Sequence, residues 1–278
     1  MEEFFYRVSW RASGAHPGGH ASRQHGGGFE FAGHGTFLSN PSPRDIDLRA
    51  SFRDPLGQLY VRNYRQKSSI PLVVLADLSA SMSFNGVQDK RKILVRLAAS
   101  AAWSASRQGD PFGFVACDDG FRSDLHLPVR FHKSGATELY ERLLHEPFRP
   151  SRATGLLNAI EHLPRRKSLL LLVSDFHYPL ETVRALLETL AFHDVVPIVL
   201  WDEAEMQRLP RRGLMLFRDP ETGKMRRFLM RPKLNKAISQ YYSDRRDALT
   251  LMCRNAGRRP LFCGPGFSMD ELTRYFFE

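Results

Sequence analysis

Cysteine is scarce in this chain: there are three among 278 residues, Cys117, Cys253 and Cys263. Their wide spacing excludes a CxxC metal knuckle and a disulfide framework, so all three read as reduced, structural thiols. Long apolar runs are missing too. The longest cover residues 70–76, 169–173 and 195–201, far short of the roughly 20 residues that a membrane-spanning helix needs. The amino terminus opens Met-Glu-Glu, without the basic stretch and apolar core of a secretory leader, so a cytoplasmic location is expected. No GxSxG elbow, Walker A loop, HExxH helix or Cys–His pair at a known spacing occurs, and Cys263-Gly264-Pro265-Gly266 is only a GxG fragment. An enzymatic reading therefore starts with little support.

What is present is an ordinary globular composition, 42% hydrophobic and 25% charged. The length suits one large α/β domain with additions. Forty Lys and Arg against thirty Asp and Glu give a formal charge of +10, which favours an acidic partner: a nucleic acid, an anionic membrane surface or an acidic protein face. Zinc knuckles, RNP motifs and basic zippers are absent, so nucleic acid is not the expected partner.

Residues 1–45 are rich in Gly, His and Ser and poor in apolar side chains, and read as an extended or mobile arm. Residues 46–69 lead into the core. From Ile70 onward, short apolar runs alternate with amphipathic helical stretches, the signature of βαβ units around a mainly parallel sheet. The expected fold class is α/β, a Rossmann-like doubly wound sheet over residues 70–205. Residues 112–117 and 125–131, joined through Asp118-Asp119-Gly120, should give it an antiparallel edge. Residues 195–200 should be its last strand. Residues 206–278 read as an extension of the same domain: a projecting hairpin turning at Asp219-Pro220-Glu221-Thr222-Gly223, then an αβα addition.

Asp77-Leu78-Ser79-Ala80-Ser81 follows the first buried strand, where ligands bind in open α/β sheets. Carboxylate and hydroxyl oxygens are hard donors, and Mg2+ takes about six of them near ~2.1 Å. Asp175 stands in the same position after the run 168–174. Thr154 precedes the helix expected over 155–163, where its hydroxyl would either cap that helix or face the same crevice. Each loop alone is an ordinary turn or cap; the three together point to a cation.

The pattern DxSxS, then Thr154, then Asp175 resembles the metal-ion-dependent adhesion site of von Willebrand factor A (vWA) domains. More narrowly, Arg44-Asp45-Ile46-Asp47, Leu59-Tyr60-Val61-Arg62, Ser174-Asp175-Phe176, His193-Asp194-Val195-Val196-Pro197 and Asp219-Pro220-Glu221-Thr222-Gly223 resemble bacterial proteins of the DUF58 type. These are usually encoded near MoxR-type AAA+ ATPases. The likeness covers about residues 28–278. It implies a vWA-like, non-catalytic adaptor holding Mg2+, or Mn2+ or Ca2+, on Asp77, Ser79, Ser81, Thr154 and Asp175. An acidic residue of a protein partner, by resemblance a MoxR-type AAA+ ATPase, would complete the ion's shell during assembly, maturation or metal insertion of another complex. One position departs: the family often has Asp after the threonine, and here it is Gly155.

Arg211, Arg212, Arg218, Lys224, Arg226 and Arg227 around the hairpin are candidates for attracting that partner. Two other classes compete. A metal-dependent hydrolase would use Asp77 and Asp175, with His177 as its one candidate base. A basic nucleic-acid-binding protein would use the arginine-rich hairpin.

Overall fold

The computed structural model describes residues 2–12, 16–84, 86–132, 135–146, 153–202, 210, 212–218 and 224–278. The chain forms two compact units, Arg7–Ile70 and Met1–Tyr6 with Pro71–Glu278.

In the smaller unit β1 (Pro17–Thr36) pairs antiparallel with β2 (Tyr60–Ser68), with several register shifts. The Gly/His composition of this stretch suggested a mobile arm. A strand ladder is built from backbone N–H and C=O groups, so few apolar side chains are needed to form one. Between the strands lies the short helix α1 (Leu48–Ser51), whose first turn is capped by Asp47 accepting from the Ala50 N–H at 3.1 Å. Asp47 also accepts from Arg62 Nε at 2.9 Å and lies 3.0 Å from His34 Nε2. The Arg62 hydrogen bond, then His34, holds its carboxyl well below the usual carboxylate range. Two of the stretches shared with the DUF58 type thus meet through one ion pair.

In the larger unit the apolar runs become buried strands. They are β3 (Leu72–Asp77), β4 (Phe112–Cys117), β5 (Leu127–Arg130), β6 (Leu169–Ser174) and β7 (Asp194–Leu200). Helices α2 (Lys90–Gln108), α3 (Gly135–His145) and α4 (Leu180–Thr189) alternate with them. The expected projecting hairpin is β8 (Gly213–Arg218) with β9 (Met225–Met230), followed by α5 (Pro232–Asn255), β10 (Leu261–Cys263) and α6 (Met269–Phe277). The hairpin's turn at 219–223 lies outside the described residues.

The main sheet runs β10-β7-β6-β3-β4-β5, parallel throughout except for β4 with β5. The antiparallel edge is as expected. The opposite edge differs, because β10 pairs with β7, so the carboxy-terminal segment completes the sheet instead of merely adding to it. The expected helix after Thr154 is a 3-10 helix, Thr154–His162.

Side chains alternate across a strand, and both faces here are buried. Val73, Leu75, Val115, Leu170 and Leu172 cluster with Ala159, with Val183 and Leu186 of α4 and with Leu249 and Cys253 of α5. Their neighbours Leu72, Val74, Phe112 and Phe114 are equally buried on the other face. The first residues of the chain belong to this unit and are not part of a loose arm. Phe4 and Tyr6 are buried, the Phe4 N–H donates to Ser104 Oγ at 2.9 Å, and the Tyr6 hydroxyl donates to Asp110 at 2.6 Å.

Candidate functional site

Strand β3 is followed in sequence by β4 on one side, whereas β6 lies on its other side. The chain therefore reverses direction across the sheet at β3, and the loops leaving β3 and β6 flank the crevice where open α/β sheets bind ligands. Asp77 is the last residue of β3 and Asp175 follows the last residue of β6.

Four of the five expected ligands are joined in one network. The Asp77 carboxylate accepts from the Ser79 N–H at 2.8 Å through one oxygen and from the Ser174 hydroxyl at 2.6 Å through the other. The Ser79 and Ser81 hydroxyls are 3.2 Å apart, and Ser81 in turn hydrogen-bonds Asp175. Asp77, Ser79 and Asp175 are buried, while Ser81 is half-buried. Two carboxylates buried this close repel, and the environment separates them. Burial, and next the Asp175 charge, pushes Asp77 up to about 6. Burial would raise Asp175 too, but His177 and the Lys90 ammonium hold it below the usual carboxylate range.

Thr154 is not tied into this network. Its hydroxyl donates to the Asp119 carbonyl at 3.2 Å, is exposed, and does not cap the 3-10 helix. The loop it rests on is pinned by Arg122, which pairs with Asp118 at 3.5 Å, with Asp124 at 2.6 Å and with Glu146. The Gly155 N–H donates to the Asp118 carbonyl at 2.9 Å. That approach explains why no carboxylate follows the threonine here: a Cβ at position 155 would lie 2.7 Å from the backbone of Gly120. Gly155→Ala should therefore cost about 1–3 kcal/mol through overpacking. Urea unfolding within ~0.5 kcal/mol of wild type would show that the loop yields freely.

Three contributors were not legible as site residues. Lys90, expected only as a helix start, is fully buried and donates to Asp175 Oδ2 at 3.1 Å. Ser174 bridges Asp77 and the Phe176 N–H, the latter at 2.9 Å. Arg245 of α5 donates to the carbonyls of Phe176 and Tyr178. Only a fold that brings α5 to the end of β6 reveals the last of these. His177, the one candidate base, lies parallel to the Trp201 ring at 6.1 Å, and its N–H donates to Asp175 at 3.3 Å.

Of the hairpin cations, Arg212, Lys224, Arg226 and Arg227 are exposed. Arg211 lies outside the described residues, and Arg218 is described only as backbone in β8. Among the described residues, no three His, Cys, Asp or Glu side chains gather as a metal-holding group. The cluster at β3 and β6 is instead two carboxylates with serine hydroxyls, all of them hard oxygen donors.

Fold and site together define a mixed α/β protein with a six-stranded, mostly parallel sheet and a buried hydroxyl–carboxylate cluster at the carboxyl ends of two adjacent strands. The chain belongs to the DUF58 family, described as a protein of unknown function, whose model matches residues 42–248. It is 23% identical over 203 residues to an uncharacterized protein of Mycobacterium tuberculosis, a match covering 71% of this chain and 63% of that protein's length. It is 33% identical over 99 residues to a protein of Paracoccus denitrificans described as uncharacterized and in the moxR 3' region, covering 36% of this chain and 94% of that one. Among solved structures it is similar to the conserved hypothetical protein BatB of Bacteroides thetaiotaomicron, with a TM-score of 0.43 and 13% identity over 75% of this chain and 98% of that one. Among the described residues, no helix is long and apolar enough to cross a membrane.

Proposed function

We propose that this chain is a vWA-like, Rossmann-type adaptor of the cytoplasm that holds one divalent cation, Mg2+ first, and uses it without catalysis to grip an acidic residue of a partner protein. The observation that carries the reading is the linked set Asp77, Ser79, Ser81 and Asp175 at the ends of β3 and β6. A buried carboxylate driven up to about 6 by burial and by a second carboxylate is a group that a cation relieves. Asp77, Ser79, Ser81 and Asp175 would hold the ion, with Thr154 reaching it once its hydroxyl leaves the Asp119 carbonyl. The bound ion would supply an open coordination position for a partner carboxylate.

The family's link to moxR, through the Paracoccus relative, makes a MoxR-type AAA+ ATPase the partner to test. The β8–β9 hairpin suits a partner surface: Leu214, Leu216, Met225 and Leu229 are exposed beside Arg212, Lys224, Arg226 and Arg227.

Isothermal titration of Mg2+ and Mn2+ into the full chain, beside an Asp77→Ala/Ser79→Ala double variant, tests the ion. One site in the wild type that is lost in the variant is the expected result. No binding by folded wild-type protein, with or without the MoxR-type ATPase, would rule the cation reading out.

A further inference from the structure

Lys90 is the first residue of α2 and is fully buried. Both features are unfavourable for an ammonium. A helix amino terminus is the positive end of the helix dipole, and removal from water costs an unpaired ion several kcal/mol. A lysine held in such a place must answer a negative charge; it donates to Asp175 Oδ2 at 3.1 Å, and the Phe84 ring lies 5.7 Å from its nitrogen. The nearby Cys117 thiol, pushed up to about 12 chiefly by burial, stays neutral, and the Arg245 guanidinium is directed at the Phe176 and Tyr178 carbonyls. The Lys90 ammonium thus lies in direct contact with one of the two carboxylates that would hold a cation.

We infer that Lys90 is a built-in counter-charge that weakens the cation's hold on the cluster and, in return, leaves the loaded site positive enough to attract a carboxylate. The inference rests on the cation reading above. The ammonium repels a divalent ion held on Asp175 and adds its own positive charge to the loaded site, which a partner Asp or Glu answers. Without the ammonium, Asp77 and Asp175 would neutralise more of the ion's charge and leave it less attractive to an incoming carboxylate. One side chain therefore shifts the two affinities in opposite directions, which a purely structural ion pair would not do.

The test is Lys90→Gln in the full chain, which keeps an N–H donor near Asp175 and removes the charge. Mn2+ affinity is read by titration. Carboxylate capture is read by adding acetate to the Mn2+-loaded protein and following water proton relaxation. The expected result is Mn2+ binding tighter by at least about ten-fold, with acetate displacing less water from the ion. Wild type and variant binding Mn2+ equally, or the variant more weakly, would overturn the counter-charge and leave the cation reading standing. Failure of both to bind overturns both. If Lys90→Gln is too unstable for titration, its melting temperature in rising Mn2+ replaces it: a larger rise than in wild type supports the inference, and an equal or smaller one overturns it.

Discussion

Asp175→Ala is expected to lower the unfolding free energy by about 3–5 kcal/mol, among the largest effects of any single substitution near the cluster. The cost does not lie in the contacts the carboxylate makes, although it accepts from Lys90, from the His177 N–H and from Ser81. It lies in what is left behind, because the Lys90 ammonium is fully buried and would lose the carboxylate it touches at 3.1 Å. An exposed pair would behave differently: Arg142 with Glu138, both largely solvated, should contribute under ~1 kcal/mol. The signature is non-additivity. Lys90→Met combined with Asp175→Ala removes both charges and should recover most of the loss, since apolar replacement of a whole buried pair is often near neutral. Urea unfolding of the wild type, both single variants and the double variant measures the coupling. Simple addition of the two single effects would show that the ammonium finds adequate solvation without Asp175.

Much of the sheet could be read from the sequence because a strand buried on both faces leaves a contiguous apolar run, as residues 70–76, 169–173 and 195–200 do. The loop residues Asp77, Ser79, Ser81 and Asp175 were legible for a related reason. A short polar cluster directly after such a run has one place to go in an open α/β sheet, and the structure joins these four. Thr154 had the same kind of local support, yet its hydroxyl turns to the Asp119 carbonyl, a choice made by the β4–β5 loop rather than by its own neighbours.

What stayed hidden depends on partners distant in sequence. Lys90 and Asp175 are 85 positions apart, and Arg245 is 69 from Phe176. In the sequence Lys90 stands in the run Asp89-Lys90-Arg91-Lys92, which looks like any solvated helix start. The strand Pro17–Thr36 was missed because its pairing is carried by backbone, and the buried Phe4 and Tyr6 because the run Phe4-Phe5-Tyr6 is too short to set a periodic pattern. The strand at residues 261–263 could be read from the sequence, but its place at the edge beside β7 could not, because pairing across a sheet leaves no local pattern.

Helix α5 should matter to the cluster well beyond its own packing, and Arg245→Ala is expected to show it with a loss of about 2–4 kcal/mol. Phe176, the residue after Asp175, has φ 52, the left-handed region that non-glycine residues avoid at a cost of roughly 1–2 kcal/mol. Its ring is buried and its N–H is held by Ser174 Oγ at 2.9 Å. The carbonyl side is held by the Arg245 guanidinium, which also takes the Tyr178 carbonyl, so one planar fork fixes the Phe176–His177 and Tyr178–Pro179 peptide groups. Truncation leaves those carbonyls without that donor and frees a backbone that is already under strain. The effect should travel one residue back to Asp175. Amide exchange at Phe176 and His177 should quicken, and divalent-ion affinity should fall with it. Arg245→Lys separates geometry from charge, because an ammonium lacks the planar fork and should recover only part of the loss. Unchanged stability and unchanged exchange in Arg245→Ala would mean that Ser174 and the buried Phe176 ring suffice to hold the loop, and that α5 contributes only its apolar face.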